Sequence, residues 1–255
     1  MKDPNILFYD IETSLQTVAV FQLYGNDFIK PENILTERHL VSICWKRLGE
    51  KRVHSISLLD DSKRFNANPH DDKYVAETFY KELLTADVLV AHNGDRFDLR
   101  YLKTRFLFHK LPALPPIQTI DTYKVAKNSF MLNSNSLNYL GKYLGLGGKK
   151  STPAGLWLDV LRGDKQAIRT MVDYNKRDVT LLEGVFKHLQ PYMPNHINRE
   201  LFGNIGCPRC GSHKIQSRGV HRAITKIYQR FQCQSCSGWF RQLKAEKFST
   251  AHRIL

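Results

Sequence analysis

The sequence lacks any run approaching the roughly 18 uninterrupted apolar residues that a membrane helix needs, so no membrane association is expected. No apolar stretch follows the opening Met1-Lys-Asp-Pro4, which argues against a secretory leader. Cysteine is scarce and unevenly placed. Of five, four form the pairs Cys207-Pro-Arg-Cys210 and Cys233-Gln-Ser-Cys236, and Cys44 stands alone in the apolar run Leu40-Val-Ser-Ile-Cys-Trp45. In a chain without a leader, such pairs speak for metal and against disulfides. Cys44 reads as a small buried hydrophobe. Acid is nearly absent from one region: residues 203–255 hold ten Lys and Arg but one acid, Glu246, for a net charge of +9. The first 202 residues hold 28 Lys and Arg against 23 acids. There is neither an internal repeat nor a low-complexity tract.

What is present is a 255-residue chain, 42% hydrophobic and 24% charged, which can build one large domain and a small module. We expect a soluble protein of the cytoplasm, of a bacterial or phage-infected cell. The net charge of +14, concentrated at the C-terminal end, calls for a polyanionic partner, and nucleic acid is the commonest.

Asn5–Asp10 reads as a buried strand, and Leu40–Leu48 and Val53–Leu59 as two more joined by a turn at Gly49-Glu50. Asn66–Asp72 reads as a loop. Helical periodicity marks Tyr74–Thr85; Val88–Ala91 is a short strand; Asp98–Phe108 is a helix ended by Pro112 and Pro115-Pro116. Ile117–Ile120 is a strand and Tyr123–Lys127 begins a helix. Ser136 caps a helix that stops at Gly145, Gly145–Ser151 is a flexible basic loop, and Ala154–Leu161 is a short helix. Asp164 caps a long helix to about Leu189, with Pro191 and Pro194 ending it. This order predicts an α/β domain with a mixed sheet flanked by helices, over residues 1–202, and a second module over 203–255. Active sites in open sheets gather at strand ends.

Three segments carry candidate chemistry. Asp10 and Glu12 stand two apart in the first strand, so period-2 geometry turns both to one face. Two such carboxylates repel unless a cation lies between them, and Mg²⁺ prefers oxygen ligands of this kind. Asp98, near a helix start, serves either as a cap or as a metal ligand. Tyr174 and Asp178 are i and i+4 on one helix face. There the tyrosine either holds a water beside a metal-bound carboxylate or packs at a domain edge.

Together, Asp10-Ile-Glu-Thr13, His92-Asn93 with Phe97-Asp98, and Tyr174-Asn-Lys-Arg-Asp178 resemble the three motifs of the DEDD exonucleases, in the Tyr-x3-Asp form of the DEDDy branch. The resemblance covers residues 4–190. Similar domains proofread in family B DNA polymerases, and Leu144-Gly-Leu-Gly-Gly-Lys-Lys150 looks like the lead-in to their third motif. The resemblance implies a ribonuclease-H-like fold and 3′–5′ hydrolysis with two Mg²⁺ (or Mn²⁺) ions about 4 Å apart. It implies that Asp10 bridges both ions, that Glu12 and Asp178 complete the water-bearing site, that Asp98 holds the second ion through water, and that Tyr174 orients the nucleophile. Thr13 and Asn93 would contact the terminal nucleotide. Phe97 would stack there or pack in the core, and Asp121 would be a supporting acid. No polymerase motif is present, so proofreading would need a separate polymerase or replication protein.

The spacing Cys-x2-Cys, 22 residues, Cys-x2-Cys brings four thiolates from two tight turns into a tetrahedral site with no open position, hence one structural Zn²⁺. In about 50 residues with little apolar material, metal would largely replace a core. The segment resembles zinc ribbons, including those of some transposases. Arg218, Arg222, Lys226, Arg230 and Arg241 lie among Tyr228, Phe231, Trp239 and Phe240, a mixture suited to phosphate contact and base stacking. Ribbon packing would claim Phe231 and Trp239. The function expected is a 3′–5′ exonuclease on single-stranded DNA. The alternatives are an exoribonuclease, since nothing here reads the 2′-hydroxyl, and a nucleic-acid-binding replication or repair accessory subunit.

Overall fold

The structure is a computed structural model that describes residues 4–22, 28–148, 153–193, 196–199, 205–224 and 226–243. Among these, no helix is long and apolar enough to cross a membrane. The chain divides into two compact units: residues 5–189, and residues 1–4 with 190–255.

The larger unit is built on a five-stranded sheet in the order β5-β4-β1-β6-β7. β1 (Ile6–Thr13) pairs antiparallel with β4 (Leu40–Arg47), which pairs antiparallel with β5 (His54–Ser57). On its other side β1 runs parallel to β6 (Val88–Ala91), and β6 parallel to β7 (Gln118–Asp121). This is the mixed sheet that the resemblance implies. The small ribbon β2 (Thr17–Val18) and β3 (Ile34–Thr36) follows β1.

Alternation along β1 sorts two layers. Tyr9, with Trp45 of β4, packs on Phe79 of α2 (Lys73–Leu83), beside α3 (Asp98–Phe108). Phe8 meets Phe186 of α7 (Lys165–Leu189) edge-on at 5.1 Å on the opposite face. Asp164 caps α7 by accepting from Ala167 N at 2.6 Å. Around α7 lie α4 (Thr122–Ser129), α5 (Leu137–Tyr143) and α6 (Leu156–Leu161). Ser136 caps α5 as its sequence predicts.

Several local expectations shift. β1 runs on through Asp10 to Thr13, because β4 pairs with its polar end. The expected loop 66–72 begins inside α1 (Ser62–Ala67), whose cap is Asp61 and whose single buried side chain is Phe65. β5 stops at Ser57, whose hydroxyl starts a 3-10 turn over Leu58–Asp60. Of the loop expected over Gly145–Ser151, residues 149–151 lie outside the described residues, as do Pro194 and the expected module start at Gly203.

The smaller unit carries a three-stranded antiparallel sheet, β8 (Ile215–Arg222), β9 (Ile227–Cys233) and β10 (Trp239–Leu243), in the order β10-β9-β8. No acidic side chain stands among its described residues.

Candidate active site and cysteine cluster

The sheet-facing stripe of α7 is Met171, Asn175, Asp178, Leu182 and Phe186, all buried at helical spacing. Two members are polar because this stretch lies over the polar end of β1. Asp10 and Glu12 share the face of Phe8, so they point toward α7. Carboxylate oxygens of Asp10, Glu12 and Asp178 all lie within 4.8 Å of one another. Asn175, wholly buried, donates from Nδ2 to Oδ2 of Asp10 at 2.8 Å. The sequence reading missed Asn175. Its signal was an amide on the buried stripe one turn before Asp178.

Such proximity among three carboxylates is costly without a cation, and an all-oxygen, all-anionic donor set fits a hard divalent ion. The surroundings are strongly electronegative. Burial holds the Tyr9 hydroxyl well above its usual value, and the carboxylates of Asp98, Asp95, Asp10 and Asp121 push it further. Burial likewise raises the Cys44 thiol, with the charges of Asp10 and Glu12 adding to it. Cys44, directly opposite Asp10 in the ladder, is a buried hydrophobe as expected.

Asp98 lies outside this tight group of three. Its Oδ1 accepts from the N–H of Ile11, the residue between Asp10 and Glu12, at 3.3 Å. It is not the cap of α3: it is the first helical residue, and Phe97 occupies the cap position. Phe97 is 38% exposed and its ring stacks on Tyr101 at 6.0 Å, so the core-packing alternative is wrong for it. Thr13 sits at a β-bulge, half-buried, where the register against β4 slips. Asn93 adopts a left-handed φ of 63°, and its N–H donates to Asp121 Oδ1 at 2.8 Å. Asp121 also caps α4 through Tyr123 N, and burial raises its carboxyl above the usual range. It therefore fixes the Asn93 turn and stands apart from the three-carboxylate group. Gly94 is required in that turn, since a Cβ there would come within 2.3 Å of the Ala91 Cβ.

Tyr174 packs partly buried against the core. With Asp178 it lines a hollow of about 390 Å³ that also involves Leu146, Gly148 and Arg177. Lys149 and Lys150 of the lead-in motif lie outside the described residues. A larger hollow, about 730 Å³, opens elsewhere in this unit beside His39, His70, Asp72, Tyr101 and Arg105. Its deepest charge is already neutralised. Asp72 accepts from Arg105 Nε and Nη2, both at 2.7 Å, from His109 at 2.6 Å, and from Leu40 N at 2.8 Å.

In the smaller unit the four sulfurs of Cys207, Cys210, Cys233 and Cys236 lie within 4.8 Å of one another. Cys207–Cys236 and Cys210–Cys233 are separated by 3.8 and 3.6 Å. Four thiolates at zinc's usual bond length would stand about 3.8 Å apart at tetrahedral corners, whereas a disulfide would need about 2 Å. Burial opposes ionisation of Cys233, but donation from the N–H groups of Cys236 and Ser235 prevails and lowers its thiol to about 7. Each pair sits in a tight turn: Gly211 N bonds Cys207 O at 2.8 Å, and Cys233 N bonds Gly238 O at 3.0 Å.

Strand pairing sorts the basic residues predicted to bind substrate. Arg241 lies directly opposite Arg230, and Trp239 opposite Gln232. His221 lies opposite Tyr228. Arg218 bonds Gln232 Oε1 at 3.2 Å, which puts it on this same face. Arg222, paired with Ile227, belongs to the other face with Phe231 and Phe240, whose rings stack at 5.4 Å. Lys226 lies just before β9 and is exposed. Trp239 is 49% exposed, so ribbon packing does not claim it.

A mixed sheet flanked by helices, with three clustered carboxylates on its central strand and longest helix that could hold a metal ion, is the arrangement of a nuclease-type fold. The sequence profile of the RNase H superfamily matches residues 49–190, more than half of the chain, and the protein belongs to that superfamily. β1, which carries Asp10 and Glu12, precedes the matched span. No curated protein sequence matches. Among solved structures, the chain is similar to the family B DNA polymerase of the hyperthermophilic archaeon Pyrobaculum calidifontis, with a TM-score of 0.52 over 75% of this chain at 17% identity. At that identity the likeness is one of fold. The chain spans 26% of the length of that polymerase.

Proposed function

We propose that this protein is a DEDDy-type 3′–5′ exonuclease acting on single-stranded DNA. The observation that carries the reading is the convergence of Asp10, Glu12 and Asp178 within 4.8 Å, with Tyr174 one turn from Asp178. These three carboxylates, with Asp98 beside the same strand, would hold two Mg²⁺ or Mn²⁺ ions. Bound ions of this kind lower the pKa of a coordinated water and stabilise the charge that develops on the leaving 3′ oxygen. The chain's own residues supply the rest. Tyr174 offers a hydroxyl to orient the attacking water, Asn175 fixes Asp10, and Thr13, Asn93 and the exposed ring of Phe97 receive the terminal nucleotide. The cysteine cluster would hold a structural Zn²⁺, and the basic unit around it would retain the strand.

The test is incubation with 5′-end-labelled single- and double-stranded DNA and RNA, with Mg²⁺ or Mn²⁺, and with chelator as control. Stepwise shortening of single-stranded DNA from its 3′ end is expected. Inactivity on every substrate, or activity that persists in chelator, overturns the assignment; preferential RNA shortening would move the substrate to RNA.

A further inference from the structure

The two faces of the β8–β10 sheet differ in a way that mere solubility does not require. One carries Phe231 stacked on Phe240, together with Ser217, Gln229 and Arg222, and is bound internally: Gln229 Nε2 donates to Ser217 Oγ at 2.7 Å. The other gathers Arg218, His221, Tyr228, Arg230, Trp239 and Arg241. On it the Arg241 guanidinium lies over the Tyr228 ring at 4.4 Å, and His221 tilts against the same ring at 6.2 Å. His221, Arg230, Trp239 and Arg241 line a shallow hollow of about 330 Å³ on this face.

Two features of this face are unfavourable in the protein alone. Arg230 and Arg241 are directly paired across the strands, and like charges so placed repel. No acidic side chain among the described residues of this unit offsets them. Beside them Trp239 leaves about half its surface in water. A polyanion would relieve the first, and a flat apolar group the second. Unpaired nucleotides supply both, as alternating phosphates and exposed base faces. In a duplex the base faces are stacked away.

We propose that this face is a stacking platform for single-stranded nucleic acid, with bases laid on Trp239 and on the Arg241–Tyr228 pair and phosphates held by Arg218 and Arg230. Because every base has such a face, binding is tolerant of sequence. The proposal deepens the exonuclease reading, and it assigns to this unit the selection of unpaired strand.

The experiment measures binding of the full chain carrying Asp178→Ala, without added divalent ion, to a labelled oligonucleotide of about 16 nucleotides, long enough for one small domain. Mixed-sequence single-stranded DNA, the same sequence as RNA, and its duplex are compared across a salt series. Trp239→Ala, Arg241→Ala and Arg222→Ala are added separately, with circular dichroism and retained metal content as folding controls. Trp239→Ala and Arg241→Ala are each expected to weaken single-strand binding about tenfold, whereas Arg222→Ala, with the same charge change as Arg241→Ala on the other face, changes it about twofold or less. If Trp239→Ala fails to fold, Arg241→Ala against Arg222→Ala decides alone. Equal losses from those two variants, or equal affinity for duplex and single strand, overturn the platform. So does single-strand binding that neither Trp239→Ala nor Arg241→Ala weakens. Hydrolysis by the chain with Asp178 restored is scored separately on a short oligonucleotide. Inactivity there would refute the exonuclease and leave the binding result standing.

Discussion

Asn175 and Asp10 lie 165 positions apart in the chain, and a hydrogen bond of 2.8 Å from the Asn175 amide to the Asp10 carboxylate joins helix to strand. The bond holds one Asp10 oxygen and thereby orients the other. Supporting contacts of this kind are worth 10- to 100-fold in activity or metal affinity, on the order seen for outer-shell partners generally. Asn175→Ala should therefore lower kcat by about tenfold or more and raise the Mg²⁺ concentration needed for half activity. Asn175→Asp should be worse, because it adds a fourth like charge. A magnesium titration of nucleotide release for each variant checks both.

Asp178→Ala should leave the fold intact and reduce nucleotide release to background. It should also uncouple Mg²⁺ from stability. Mass action by an ion bound to the folded state contributes about 2.7 kcal/mol at a hundred times its Kd. Differential scanning calorimetry of the parent should show Tm rising with Mg²⁺, and of the variant little or no rise.

Acid sensitivity should have a traceable source in His39. Burial, with His70 beside it, lowers this imidazole from its usual 6.5 to about 4. The unfolded chain then takes up a proton before the folded one does. Stability from the neutral ring is complete above pH 6.5 and drains away as pH falls toward 4, by roughly 3 kcal/mol at most. His39→Gln should flatten that part of the profile, as measured by urea unfolding of the α/β unit at pH 7.5 and pH 5.

The Asp72–Arg105 pair tests a buried charge. Asp72 is wholly inaccessible and the Arg105 side chain 9% exposed. Removing one partner strands the other, at about 3–5 kcal/mol. Asp72→Ala should cost that much in chemical denaturation, and Asp72→Ala with Arg105→Met should recover most of it.

Stripping the proposed Zn²⁺ from the cysteine cluster, by a strong chelator or by Cys233→Ser, should unravel β8–β10 while the larger unit keeps its thermal transition. Loss of fixed near-ultraviolet signal from Trp239 and of single-strand binding, with hydrolysis of a very short substrate retained, is the expected pattern.

Much of this architecture was legible because its signals are local. The apolar run Val88–Ala91 is β6, and the polar turn before Asp98 opens α3, which ends at Phe108. Asp164 and Ser136 cap the helices they precede. The end of β1 was less visible, since Asp10, Glu12 and Thr13 break the apolar pattern, and only the neighbouring β4 accounts for a strand there. α1 has one buried side chain to announce it, and β2 and β3 are too short for alternation to show. The carboxylates stand out through their motifs, but spacing encodes neither the place of Asp98 outside the tight group nor its bond to Ile11. Likewise, no composition count separates Arg230 from Arg222; only strand pairing does.

The place of β1 as the middle of five strands has a consequence for how the protein fails. Edge strands and short helices open first in native fluctuations, and central strands exchange their amide hydrogens only through near-global opening. Asp10 and Glu12 ride on the last element to let go. Partial melting that sheds β5 or β7 would leave that pair together on its strand, so the three-carboxylate group should come apart only when α7, which carries Asp178, leaves the sheet.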